Sequence, residues 1–172
     1  MARRTADAAI RDHVARLLDW EDARVGFDKA VADVPAHMRG VAPPGLPHSI
    51  WQLVEHIRLA QHDILDFSRN PTYREMKWPD DYWPGSAAPG SDAAWKKSLA
   101  RVRADRKALQ QMAADRSIDL SAKIPHGSGQ TVLRELLLVA DHTAYHVGQI
   151  VAVRRALGIW PPIAAGNGKG DS

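Results

Sequence analysis

Two histidines stand four residues apart in the stretch Asp141–Ile150, which reads DHTAYHVGQI. On an α-helix, residues i and i+4 lie one above the other, so His142 and His146 project together. The stripe they interrupt is otherwise apolar, with Leu138 and Val139 before them and Ile150, Val153 and Leu157 after. A neutral imidazole buried without a partner is costly, and a divalent metal ion would engage both rings at once. His56 makes a similar interruption in LVEHIRLA, between Leu53 and Ala60. Two imidazoles from one helix and one from a facing helix give three nitrogen ligands. Three protein ligands with an open position for water is the pattern of catalytic zinc and similar ions.

The spacing alone is weak. Eight histidines in 172 residues give about 0.4 HxxxH pairs by chance. The apolar stripe adds to the spacing, and on the two together a hydrogen-bonded core pair stands level with the metal reading. Other site patterns fail. HExxH needs Glu after the first His, where Thr143 stands. A di-iron bundle needs Glu-x-x-His pairs, but Glu55 is followed three residues later by Arg58 and Glu135 by Leu138. No phosphate-cradling glycine loop and no GxSxG is present.

Further residues are candidates around this centre. Gln149 lies three residues past His146, on the same side, within reach of a bound water or of backbone. His126, in IPHGSGQ, could overhang the pocket as a general base, or be a surface residue. Glu55 and Asp141 each precede a ligand candidate and point about 100° away from it, which predicts exposed side chains. His62 is six residues past His56, about 240° round the helix, and cannot share its site. His13, His37 and His48 have weaker claims. Trp78 and Trp83 either cover the pocket mouth or pack on the bundle. Arg154 and Arg155 suit the negative end of a helix dipole.

Four helical segments must position these groups. The first is predicted over Thr5–Val34, with Ile10, Val14, Leu17, Leu18 and Val25 as its stripe, ended by Pro35. The second starts at Ser49, where Ser49 and Gln52 fit a capping box, and stops before Asn70-Pro71. The third runs from Ser91 or Asp92 to about Arg116, with Trp95, Leu99, Val102, Leu109 and Met112 on one side. The fourth spans about Thr131 to Leu157, with Gly158 as its closing residue. Between the second and third lies PTYREMKWPDDYWPGSAAPG, long for a compact domain and so a crossover, a lid or a functional loop. Its aromatics predict that it packs on the body. SIDLSAKIPHGSGQ reads as an irregular or hairpin-like connection. The expected architecture is all-α, a four-helix bundle of one domain over residues 1–162, with 163–172 a disordered tail.

Composition narrows the function classes. Apolar residues make up 45% and charged residues 25%, as in an ordinary soluble domain. The chain has no cysteine, which excludes disulfides and thiolate metal sites. No secretory signal and no membrane-length apolar run is recognisable, so a cytoplasmic protein is expected. Net charge is +3, and the cations are interleaved with acids rather than clustered on one stripe, which argues against nucleic-acid binding.

These residues resemble the DinB-like family of damage-inducible four-helix-bundle proteins, which includes metal-dependent hydrolases and thiol S-transferases. The likeness rests on WQLVEHIRLAQ around His56, on HTAYHVGQIVAVRRALG from His142 to Gly158, and on PHGSGQTVLRELL before it. It extends over about Ala8–Pro162; the first helix and the Pro71–Gly90 loop match only in general character. The resemblance implies an up-down-down-up bundle, usually a homodimer, holding a divalent metal on His56, His142 and His146. Zinc, nickel, iron and manganese all occur among relatives, and some members join a low-molecular-weight thiol to an electrophile. The expected function is thus a metal-dependent hydrolase or thiol transferase acting on a small molecule. The alternative is a stress-related binding or scaffold bundle whose metal is structural or absent.

Overall fold

The computed structural model describes residues 2–161. They form helices α1 (Ala2–Leu17), α2 (Phe27–Val31), α3 (Ile50–Arg69), α4 (Asp92–Ala114) and α5 (Val132–Ala156). The fold is all-α, with four long helices and one short one. The tail expected at 163–172 lies outside the described residues.

The first helix is shorter than its periodicity predicts. It ends at Leu17, and the next helix begins only at Phe27, with Gly26 at its N-cap. Val14 and Leu18 join a core cluster with Leu109, Ala113 and Leu136. Phe27, Ala30, Val31 and Val34 join a second cluster with Ile50, Val54 and Val147. One straight helix cannot place both groups, so the polar stretch between them turns the chain. Ile10, read as part of the apolar stripe, is 47% exposed.

The other three helices start and stop close to the expected residues. Ser49 Oγ accepts from the Gln52 amide, and the Gln52 side chain accepts from the Ser49 amide, completing the capping box of α3. Ser91 and Thr131 cap α4 and α5 with their side-chain oxygens alone, accepting from the Ala94 and Arg134 amides. Gly158, at φ 71°, follows the end of α5, a left-handed turn that glycine adopts without steric cost. The connection before α5 is hairpin-like at one point, where Lys123 and Thr131 form an antiparallel bridge.

Side-chain bonds fix the helix directions. Ser98 donates to Glu55, Gln61 to the Val102 carbonyl, and His62 faces Asp105. Partner numbers rise together, so α3 and α4 run the same way, and the long Pro71–Gly90 loop is the crossover this requires. Arg11 donates to the Ala113 carbonyl and Gln110 to that of Ala15, so α1 opposes α4. The late part of α5 (Val147, Ile150) packs with Ile50 and Leu53, and its early part (Val132, Leu136) with Ile64 and Leu65, so α5 opposes α3.

Of the described helices, only α5 is long and apolar enough by length and composition to cross a bilayer; half of that window is buried inside the bundle. Arg154, 1% exposed, ties its end down by donating to the carbonyls of Ala30 and Ile159, and its guanidinium lies 5.0 Å over Trp160. It is a clamp between α5, α2 and the chain after α5, beyond the dipole role its position suggested.

Candidate metal centre

Facing positions of α3 and α5 bring His56, His142 and His146 together. Each offers one ring nitrogen, and these atoms all lie within 4.8 Å of one another. His56 and His146 are buried and His142 is half-buried. Nε2 of His142 stands 3.0 Å from Nε2 of His56.

The far nitrogens of two rings are held. His56 Nδ1 lies 2.8 Å from the Tyr82 carbonyl oxygen. A carbonyl only accepts, so Nδ1 carries the proton and Nε2 presents its lone pair to the cluster. His146 Nδ1 lies 2.7 Å from Gln149 Oε1, which sets the same tautomer. Fixing a ligating histidine through its other nitrogen is how metal sites orient their ligands. Gln149, placed by its spacing within reach of a bound water or of backbone, here accepts from a histidine of the trio.

Burial pushes all three imidazoles toward the neutral form. His142 is held down to about 3, first by burial and then by His146 and His56. His56 and His146 are also lowered by burial, opposed in part by Tyr82 and Gln149. Neutral imidazole is the form that ligates a metal. The donor set therefore fits a divalent ion: three neutral rings, two with their lone pairs directed inward. Among the described residues no carboxylate joins the group.

The crossover loop builds one wall. Trp83 stacks on His56 with ring centroids 4.0 Å apart and planes 2° from parallel. His48, given little weight in the sequence, stacks on the same indole at 4.0 Å. Its Nδ1 is buried without a partner. Tyr82 and Tyr73 donate their phenolic hydroxyls to the two oxygens of Asp63, at 2.6 and 2.9 Å, pinning the loop to α3. Burial and Asp63 push both phenols up, so they stay protonated as donors. Trp83 packs against the bundle, whereas Trp78 is 69% exposed at the rim.

A cavity of about 640 Å³ opens beside the trio and reaches it at His142. His126 lines it, with Nε2–H donating to the Phe67 carbonyl at 2.8 Å. That contact leaves Nδ1 as its remaining polar atom. His126 belongs to the cavity wall and is not part of the three-histidine group.

Other expectations fall on the far side of α3. Glu55, expected to be exposed, is 8% exposed. The direction 100° from His56 faces α4, where Glu55 accepts from Ser98, and Arg58 of its own helix donates to both Glu55 oxygens. His62 faces Asp105 on α4 and is turned away from the trio, as its spacing required. Asp141 is exposed.

Sequence reasoning missed Asp63, Tyr73, Tyr82, His48 and the role of Trp83. Asp63 was within reach: it lies seven residues past His56, two helical turns, on the same face. Glu135 is seven residues before His142 and lines the same cavity.

Comparison with curated proteins and with solved structures gives no match. A family profile described as the DinB superfamily matches residues 19–150, which include all three histidines, the crossover loop and α3 to most of α5. The chain belongs to the DinB superfamily.

Proposed function

We propose that the protein is a divalent-metal-dependent enzyme acting on a small molecule, as a hydrolase or a thiol S-transferase. His56, His142 and His146 would hold the ion, and the cavity at His142 would hold the substrate. The observation that carries this reading is the pair of fixed tautomers: Tyr82 and Gln149 commit the outer nitrogens and turn the inner lone pairs together. When bound, the ion would lower the pKa of a water or a thiol at its open position and so supply a nucleophile near neutral pH. The chain's own contribution is orientation and exclusion. Trp83 covers His56 from solvent and holds its ring plane. His126 faces the same cavity with Nδ1 uncommitted, a position suited to taking a proton from substrate or nucleophile.

A site without a carboxylate or a fourth histidine among the described residues leaves room for water or substrate, which supports catalysis over a structural ion. A homodimer is part of this reading, as the family resemblance implies.

The test is a turnover screen of metal-loaded protein. Esters and amides are offered without thiol, and electrophiles with a low-molecular-weight thiol. Turnover that vanishes in His142→Ala and after chelation supports the reading. Turnover equal in parent and variant contradicts it.

A further inference from the structure

We propose that the cavity beside the three histidines recognises a cationic nitrogen on its ligand, an ammonium or quaternary ammonium group held by Asp63 and Glu75 against an aromatic wall. This deepens the reading above and rests on it for the cavity being a substrate site.

Asp63 is 9% exposed and faces the cavity. Its two oxygens accept from Tyr73 and Tyr82, which satisfies hydrogen bonding and brings no positive charge. Among the described residues, Arg11, Arg16, Arg39, Arg58, Arg103, Arg106, Arg134, Lys77, Lys96 and His62 form ion pairs, and none of them pairs with Asp63. A buried carboxylate without a countercharge is expensive, and a ligand cation is the natural relief.

The rest of the lining points the same way. Glu75 adds a second carboxylate with no ion-pair partner among the described residues. Glu135 adds a third, neutralised by Arg134 at 2.7 Å. That leaves two carboxylates without an ion-pair partner among the described residues. The phenol rings of Tyr73 and Tyr82 and the indole of Trp78 stand on the same cavity. A cation against an aromatic face gains from the ring quadrupole, more so when desolvated. Aromatics combined with unpaired carboxylates select a cation over an anion or a neutral molecule of the same shape.

The test compares charge at constant shape. The full-length protein is titrated calorimetrically with choline and its carbon isostere 3,3-dimethyl-1-butanol, then with n-butylammonium and 1-butanol. The cations should bind about tenfold tighter than their neutral isosteres, and less tightly as salt rises. Asp63→Asn should weaken the tighter cation about tenfold, and the exposed Glu75→Gln about two- to threefold. Whichever cation binds tighter distinguishes a quaternary from a primary ammonium ligand. Equal binding of cation and isostere, or no binding of either cation up to its solubility limit, overturns the proposal. Should Asp63→Asn fail to fold, the isostere comparison on the parent and the Glu75→Gln variant decide. Metal content is read on the same sample. A metal-free preparation that still prefers cations sinks the metal centre and keeps the pocket, and a metal-loaded one indifferent to charge does the reverse.

Discussion

The Nδ1 nitrogen of His56 lies 2.8 Å from the main-chain carbonyl of Tyr82, twenty-six residues further along the chain. Tyr82 also donates its hydroxyl to Asp63, two turns beyond His56 on the same helix. One loop residue is thus held by α3 and in turn orients a ring of α3. The crossover loop is part of the centre's framework, which accounts for its length and its aromatics.

Gln149 does for His146 what the Tyr82 carbonyl does for His56, and it does so with a side chain, so it can be changed. Gln149→Leu removes the acceptor on Nδ1 and frees the tautomer. Metal affinity should fall about 10- to 100-fold, with Gln149→Glu restoring most of it. Competition against a chromogenic chelator reads both. Parent-like affinity in the leucine variant would show that the contact orients nothing.

The depressed imidazoles of the trio, with His48 lowered by burial beside them, make the metal-free protein acid-sensitive. Their folded-state pKa values lie below the ordinary value of about 6.5. Below that pH the unfolded chain binds protons that the native rings refuse, so stability is lost as pH falls from about 6.5 toward about 3. Carboxylates held low, such as Asp28, Asp92, Asp115 and Asp119, lose their contribution only below their unfolded value of 3.8. The window from about pH 6.5 to 4.5 therefore reports the histidines. Thermal melts of chelator-treated protein should show Tm falling through it, with a shallower slope in His142→Gln. A flat Tm in the parent would contradict the burial of the trio.

Arg154 is expected to matter for folding rather than for the metal. Its guanidinium satisfies the carbonyls of Ala30 and Ile159 in the bundle interior. Arg154→Met leaves those acceptors without donors and should cost about 2–4 kcal/mol in urea denaturation. Metal content of the folded fraction should be unchanged. A loss under about 0.5 kcal/mol would mean that water replaces the guanidinium readily.

Much of this arrangement was legible in the chain itself, for identifiable reasons. The stripes of α3, α4 and α5 are long and regular, and their ends carry strong signals: Ser49 with Gln52, Ser91, Thr131 and Gly158. The four-residue spacing of His142 and His146, and the placing of His56 on a core face, put three rings on facing stripes. The first helix was misjudged because apolar residues on both sides of a polar break fit one period; only the two separate core clusters reveal the break. Glu55 was misplaced because α3 is covered on two sides, and periodicity against one neighbour does not report the second. Tyr82, Trp83 and His48 stayed hidden because loops have no period: their contacts depend on a crossover path that local spacing does not encode.

The central claim is that three imidazoles on α3 and α5 hold one ion. The most direct measurement is elemental analysis of untagged protein, purified without chelator, alongside His56→Ala and His146→Ala variants shown to be folded by circular dichroism. The account predicts close to one equivalent of a divalent metal in the parent and near-complete loss in each variant. No metal in the parent, or equal metal in parent and variants, would contradict it.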